Sequence, residues 1–180
     1  GSRLRPLFIR LVRQPSFTEL NYSSPGSLGN QGLERESGRA GEAGWRYRYV
    51  TRSVLQLTLF QRETRNTVDW VRETEASPKW VATDLGTVKT SGLELRNYSR
   101  FPRYFAVRTA HTWLAKEYEP DLYAGRYVID YPRFVSQITM EWEPASYLLA
   151  VYGQELRWQD DSPARENDDL FGASGRLAVH

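Results

Sequence analysis

Two residues of the sequence could carry out acid–base chemistry together. His111 lies in a segment of alternating apolar and polar residues, and Asp130 precedes Tyr131. A histidine whose tautomer is set by a carboxylate is a common general base. The pair therefore defines a candidate catalytic site for a small-ligand-binding or lyase/isomerase-type domain, with a pocket near His111 and Asp130. The alternative is a half-buried histidine satisfied by one hydrogen bond, and we favour it because no nucleophile motif accompanies the pair.

Arginine alternates with aromatic residues in the segments 45–49 and 96–108. On a strand, this alternation places the rings on one face and the guanidinium groups on the other. Guanidinium groups form bidentate hydrogen bonds with carboxylate or phosphate, so such a face could bind an anionic ligand or nucleic acid. Without any function, the same pattern predicts a sheet with rings in the core and arginines in water. The candidate binding residues are Arg46, Arg48, Arg96, Arg100, Arg103 and Arg108.

Signatures of the common enzyme classes are absent from the sequence. It contains no GxSxG elbow, no phosphate loop, no GxGxxG fingerprint and no HExxH motif. It has no cysteine and only two histidines, His111 and His180, so thiolate and multi-histidine metal sites are excluded. The interpretation therefore leans against an enzyme and includes no cofactor and no metal.

Composition indicates one folded body of modest charge. Of the 180 residues, 40% are hydrophobic, which is enough for the packed core of a single domain. The net charge of +2 is too small for the dense basic face of a typical nucleic-acid-binding domain, so a nucleic-acid partner is not expected. No apolar run approaches the ~18 residues of a membrane-spanning helix, and no transmembrane segment is predicted.

The first residues predict a basic amphipathic helical arm over 1–20. Leu4, Leu7, Phe8 and Leu11 recur at helical spacing among arginines, and Pro15 ends the pattern. These four apolar side chains are the candidate docking face of the arm. The sequence leaves open whether the arm docks on its own domain, on a partner or on an anionic membrane surface.

The rest of the chain divides by composition into three parts. Residues 21–44 form a Gly/Ser-rich linker, residues 45–158 a β-rich domain, and residues 159–180 an acidic flexible tail. The segment 45–59 predicts one long half-buried strand. Shorter strands are predicted at 67–72, 79–83, 93–97, 104–114, 126–130 and 134–142.

This strand pattern predicts a mainly β fold, an antiparallel sandwich or barrel of about seven strands preceded by the helical arm. The segments 104–117 and 145–158 also fit helical spacing, so an α+β fold is the alternative.

The function that we predict from the sequence is a non-enzymatic structural or assembly subunit of a larger complex, of the virion or envelope type. The N-terminal arm would dock on neighbouring protein subunits in a homo- or hetero-oligomer, and an anionic surface or ligand is a further possible partner. The absence of cysteine favours an extracytoplasmic or virion location.

Overall fold

The structure is a computed structural model that describes residues 1–50, 52–101, 104–118, 124–128, 130–145, 148–160 and 170–179. Most of the described chain is strand, which confirms the prediction of a mainly β protein. No helix in these ranges is long and apolar enough to cross a membrane. In chain order the elements are β1 (Ser2–Arg13), α1 (Phe17–Asn21), β2 (Ser27–Leu28), β3 (Glu36–Val50), β4 (Ser53–Arg65), β5 (Val68–Arg72), β6 (Trp80–Asp84), β7 (Val88–Phe101), β8 (Phe105–Glu117), β9 (Ala124–Gly125), β10 (Pro132–Ala145), β11 (Leu148–Gln159) and β12 (Leu170–Val179).

The main sheet contains eight of the described strands in the order β1-β3-β4-β7-β8-β10-β11-β12, and all neighbouring strands are antiparallel. Within the described ranges, β1 pairs only with β3 and β12 only with β11, so both edges of the sheet are open. The expected closure into a sandwich or barrel is therefore not found in this part of the chain. The segments that also fitted helices, 104–117 and 145–158, correspond to strands β8 and β11.

The two ends of the main sheet differ in the length of their connections. At one end, the connections from β3 to β4, from β7 to β8 and from β10 to β11 are only two or three residues long. At the other end, the connections are long and span residues 14–35, 66–87, 118–131 and 160–169. We call these the short-turn end and the long-loop end.

Three of the long connections fold together into a second sheet, which we call the loop sheet. It consists of β2, β6, β5 and β9 in that order, and these strands come from the first three long connections. Val71, Leu85 and Val88 are buried between the loop sheet and β7, and Val128 packs against them. The long connections therefore form one packed unit with a small core of its own.

Asp69 joins two of the long connections through hydrogen bonds. Its side chain in β5 is buried, with only 1% of the residue exposed. The carboxylate accepts hydrogen bonds from the backbone N–H groups of Tyr127, at 3.1 Å, and Val128, at 2.9 Å. A buried carboxylate needs such donors to remain ionised, and here it also fixes the third connection against the second.

The predicted N-terminal helix is wrong, because residues 2–13 form β1 and pair residue for residue with β3. In this strand Leu4 and Phe8 lie on one face of the sheet, and Leu7 and Leu11 lie on the other. The four side chains therefore do not form the single face that the helix would have created. Side chains four positions apart share a face both in a helix and in a strand, so this spacing fits either element. The backbone hydrogen bonds with β3 make the segment a strand.

The long strand predicted over 45–59 is in fact a hairpin of β3 and β4. Arg48 lies opposite Val54, and after a bulge Val50 lies opposite Ser53. Residues that lie opposite each other share a face, so odd-numbered side chains point to the same side on both strands. The alternation of apolar and polar residues is the same before and after the turn. The sequence pattern therefore does not show where the chain reverses direction.

Two stretches that were expected to be a linker and a flexible tail contain strands. β3 begins at Glu36, inside the predicted linker, and its glycines fit a crowded place in the sheet. A Cβ atom at Gly38 would lie 2.8 Å from the carbonyl oxygen of Glu63. β12 occupies residues 170–179 of the predicted tail, where its backbone pairs with β11 from Leu170 to Val179. Residues 161–169 and 180 of that tail lie outside the described residues.

The remaining predicted strands, with one exception, agree with the structure. The segments 67–72, 79–83, 93–97, 104–114 and 134–142 correspond to β5, β6, β7, β8 and β10. The described residues of 126–130 form bends after β9 instead of a strand. The Asp69 carboxylate accepts the backbone N–H groups that a strand ladder would need there.

Candidate functional site

Alternate residues of the main sheet form an apolar face that is partly exposed. One row across β3, β4, β7 and β8 places Trp45, Leu57, Leu95 and His111 side by side. At the edge of this face, Phe8 is 84% exposed. An exposed apolar surface of this extent marks a contact with another apolar medium or partner. The apolar face comprises Leu4, Phe8, Trp45, Tyr47, Leu55, Leu57, Leu59, Leu93, Leu95, Trp113, Phe134, Ile138, Met140, Trp142, Leu156 and Trp158.

The apolar face forms a band of limited height. Ser91, which lies in the row of Phe8, is followed ten residues later on β7 by Phe101. At a rise of about 3.3 Å per residue, the band extends about 33 Å along the strand. Beyond it, the next row of the same face toward the long-loop end carries Arg10 and Arg39. The band is thus bounded by charge at that end.

His111 lies on the apolar face and not in a catalytic pair. Its Nδ1 atom is 3.0 Å from the Ser136 hydroxyl, and its ring stacks on Phe134 with centroids 6.4 Å apart. The Asp130 carboxylate accepts a hydrogen bond of 2.5 Å from the Gln159 side chain. The described contacts of His111 do not include Asp130, so the structure does not bring the two candidate catalytic residues together.

The opposite side of the main sheet, which we call the arginine face, carries most of the candidate binding residues. Arg46 and Arg96 share one row, and Arg48 and Arg108 share the next. The guanidinium carbon of Arg108 lies 5.2 Å from the centroid of the Tyr98 ring. Arg103 lies outside the described residues. The arginines of this face include Arg3, Arg5, Arg13, Arg46, Arg48, Arg62, Arg96, Arg100, Arg108, Arg157 and Arg176.

Several of these arginines are neutralised by carboxylates of the same face. Arg96 forms an ion pair with Glu94, and Arg108 forms one with Glu141 across two strands. Exposed pairs of this kind contribute little stability, but they cancel local charge.

Four arginines at the β1–β3 side of the face remain without such a partner. Arg3, Arg5, Arg46 and Arg48 line a cavity of about 440 Å³ and form no ion pair with any described carboxylate. Glu42 is the one described acid that lines this cavity, and it lies diagonally across from Arg5 on the neighbouring strand. Arg3 lies directly opposite Arg46, an arrangement of like charges that destabilises a sheet by about 0.2–1 kcal/mol. This part of the face is therefore a region of uncompensated positive charge.

A larger cavity, of about 570 Å³, lies where the loop sheet meets the arginine face. It is lined by charged residues from four strands, Arg13, Glu36, Arg62 and Lys116, and by Val128. The Lys116 ammonium donates a hydrogen bond of 2.7 Å to the Val128 carbonyl oxygen. The sequence analysis did not identify these residues.

Arg13 organises the charges at one side of this cavity. Its guanidinium contacts Glu36 at 2.7 Å and Glu19 at 3.0 Å, and Glu36 also accepts the backbone N–H of Val68 at 2.7 Å. Hydrogen bonds to the two carboxylates raise the pKa of Arg13. Burial alone would raise the pKa of Glu36 and of Glu19, but the hydrogen bonds from Arg13 and from backbone N–H groups outweigh it and lower both pKa values.

One signal in the sequence could have located part of this network. Ser16 and Glu19 have the spacing of a capping box, in which each residue accepts the other's backbone N–H, and the structure shows both bonds at the start of α1. No local signal links Arg13 to Glu36, because the contact spans 23 residues and depends on strand pairing.

Comparison with known proteins identifies the family context of this sheet. A family profile described as "TonB dependent receptor-like, beta-barrel" matches residues 9–176. A search of curated proteins finds no match to the sequence.

Solved structures with the same fold include three bacterial receptors. The siderophore receptor PirA from Pseudomonas aeruginosa has a TM-score of 0.66 at 15% identity, over 97% of this chain and 30% of that one. The ferric-catecholate import receptor Fiu from Escherichia coli K12 has a TM-score of 0.68 at 14% identity, over 99% and 26%. The pyoverdine outer membrane receptor FpvA from P. aeruginosa PAO1 has a TM-score of 0.61 at 12% identity, over 98% and 26%. This chain therefore spans less than a third of the length of each receptor.

These findings overturn the function expected from the sequence. The matched profile and the similar structures are those of receptors, so the prediction of a virion or envelope assembly subunit is wrong. They give no support to a virion location or to an oligomer of assembly subunits. The coarser expectation of an extracytoplasmic location agrees with the description of FpvA as an outer membrane receptor.

Proposed function

Because the chain belongs to the TonB-dependent receptor-like β-barrel family, we propose that it forms part of the wall of an outer-membrane receptor for ferric siderophores. In this proposal the apolar face contacts lipid, the arginine face lines the interior, and the long-loop end faces the outside of the cell. Outer-membrane sheets have this arrangement, with short turns on the periplasmic side and longer loops outside.

The observation that carries the proposal is the division of one sheet into two unlike faces. The apolar band extends about 33 Å along its strands, which would correspond to the apolar band of about 25 Å of outer-membrane proteins if the strands had the usual tilt of about 40°. A sheet in water would cover such a face with another layer, yet large side chains such as Trp142 and Trp158 are more than half exposed. Lipid is the medium in which this exposure is favourable.

The ligand class is supported by two observations of different kinds. The similar structures are receptors described as binding siderophores or importing ferric catecholates. On this chain, the uncompensated charges of Arg3, Arg5, Arg46 and Arg48 provide a positive interior surface that would attract an anionic ferric chelate.

A pair of adjacent substitutions tests the orientation of the sheet. Leu57 lies near the middle of the apolar band, and its neighbour Thr58 points to the arginine face beside Glu94. We expect Leu57→Arg to destabilise the receptor by about 2–4 kcal/mol, because a charge at the bilayer midplane is costly. Thr58→Arg adds the same charge to the polar side and should be tolerated.

The measurement is the amount of receptor in the outer-membrane fraction, together with its urea midpoint in lipid vesicles. Equal loss for both variants, or no loss for Leu57→Arg, would contradict the assignment of the faces.

A further inference from the structure

Three arginines gather on the apolar side of the sheet, just beyond the apolar band. Arg10 on β1 lies directly opposite Arg39 on β3, and Arg39 lies opposite Glu63 on β4. Arg65 follows two residues later on the same face. These side chains, with Ser37 and Gly38, line a cavity of about 340 Å³. We call Arg10, Arg39 and Arg65 the rim arginines.

The rim arginines carry more positive charge than their surroundings neutralise. Glu63 is the one acid that lines the cavity, and its carboxylate contacts Arg39 at 3.0 Å and Arg65 at 3.4 Å. Arg10 forms no ion pair with a described residue. Farther along the row, Lys89 lies opposite Glu117, so these two charges cancel. The open site thus contains three guanidinium groups and one carboxylate. The Glu63 carboxylate already holds two of them, those of Arg39 and Arg65, close together.

The position of the rim arginines in the sheet determines which kind of molecule can contact them. Arg10 follows Phe8 by two residues on the same face, so the cluster begins within about 7 Å of the apolar band along the strand. It lies at the long-loop end, and on the side that contacts lipid and not on the interior side. In a membrane this is the level of the lipid head groups of the outer leaflet.

We propose that Arg10, Arg39 and Arg65 form a binding site for a lipid-borne phosphate of the outer leaflet. The proposal rests on the proposed function, since only that function places the apolar face in a membrane. Guanidinium groups bind phosphate oxygens through paired, charge-assisted hydrogen bonds, and a phosphate would supply the negative charge that the cluster lacks. The acyl chains of the same lipid would cover Phe8 and the neighbouring apolar face.

The test measures binding of lipid A, a diphosphorylated diglucosamine lipid, to the purified receptor in nonionic detergent micelles. We expect R10Q/R39Q/R65Q to bind lipid A about tenfold more weakly than the unmodified receptor, because three charge-assisted contacts are lost. The control R3Q/R46Q/R48Q removes the same charge from the arginine face and should retain the affinity. Lipid A without its phosphates should bind the unmodified receptor and the rim variant equally.

Glu63 provides a second variant that keeps all three arginines. Glu63→Gln removes the carboxylate that competes with phosphate for Arg39 and Arg65, so we expect lipid A to bind about threefold more tightly. This variant remains informative even where the triple variant folds poorly.

Three results would overturn the proposal or its basis. Unchanged affinity in R10Q/R39Q/R65Q, or weaker binding by Glu63→Gln, would show that the rim arginines do not bind the lipid phosphate. Displacement of lipid A by inorganic phosphate at equal concentration would indicate a site for a free anion. A receptor that does not insert into lipid vesicles would instead contradict the proposed function, and insertion without lipid A binding would contradict this inference alone.

Discussion

Arg13 shows how one side chain connects segments that are far apart in the chain. Its guanidinium binds Glu19 in α1 and Glu36 in β3, and Glu36 in turn accepts the backbone N–H of Val68 in β5. Glu36 is almost fully buried, so its charge depends on these donors. The network therefore holds the first long connection and the loop sheet against the end of the main sheet.

Replacing Arg13 should loosen the loop sheet without unfolding the main sheet. Arg13→Gln leaves Glu36 buried with one charged partner fewer, and we expect a local loss of about 2 kcal/mol. Protection of the Val68 amide from hydrogen exchange measures this loss directly. Arg157→Gln, which breaks the exposed pair with Glu155, is the control and should cost less than about 1 kcal/mol.

The same network predicts a dependence on pH. The folded pKa values of Glu19 and Glu36 are lowered below an unfolded value of about 4.3, so their contribution is present above that pH. It is lost as the pH falls through the lowered folded values, because protonation removes the contacts with Arg13. Protection at Val68 should therefore decline as the pH falls below about 4.3 in the unmodified protein and change less in Arg13→Gln. A similar decline in both would assign the effect to other groups.

Arg46 and Arg48 should affect ligand uptake and stability in opposite directions. R46Q/R48Q removes two uncompensated charges from the proposed interior, so the half-saturation concentration for uptake of a labelled ferric catecholate should rise about tenfold. It also removes the repulsion between Arg3 and Arg46, and the melting temperature should stay equal or rise slightly.

The control for this prediction is R10Q/R39Q, which removes the same charge from the other side of the sheet. It should leave the half-saturation concentration unchanged. Parallel losses of uptake and stability in R46Q/R48Q would mean that these arginines support the fold and do not attract the ligand.

The loop sheet is assembled from three separate connections, and Asp69 adds side-chain hydrogen bonds to the β5–β9 pairing that joins the second connection to the third. Its carboxylate takes the place of a neighbouring strand for the backbone N–H groups of Tyr127 and Val128. Because this contact lies outside the main sheet, its loss should affect the loops alone.

We expect Asp69→Ala to destabilise the loop sheet by about 1–3 kcal/mol, since two partly buried backbone donors lose their acceptor. Limited proteolysis within 124–131 should become faster, and the unfolding transition of the main sheet should not move. Asp84→Ala is the matched control, because Asp84 accepts one exposed backbone N–H, that of Gly86. Global unfolding of Asp69→Ala would show that the loops and the main sheet form one cooperative unit.

The molecule has two unlike ends and two unlike faces, and their combination supports its placement in a membrane. The short connections all lie at one end, and the packed loop sheet lies at the other. Four tryptophans lie on the apolar face, and the other two, Trp70 and Trp80, belong to the loop sheet. An apolar band between a short-turn end and a charged row has the polarity of an outer-membrane sheet.

Period-two alternation in the sequence was sufficient to predict strands and to separate rings from arginines. It was not sufficient to predict whether each face contacts water, lipid or another part of the protein. Rings on one face of a strand are compatible with a buried core and with lipid, because both are apolar media. The structure leaves rings such as Tyr47 and Tyr49 partly exposed and not enclosed in a core, whereas the separation of the two faces follows the predicted alternation.

The sequence alone determined the mainly β character of the chain, the absence of thiol chemistry and the candidate arginines. Tertiary structure decided the rest. It made a strand of residues 2–13, because pairing with β3 outweighs a spacing that fits both periods. It also placed Arg3 opposite Arg46 and Arg13 beside Glu36, and it brought the Asp69 carboxylate within hydrogen-bonding distance of the Val128 N–H group. Contacts such as these join residues more than 20 positions apart, and strand register, which no local pattern encodes, brings them together.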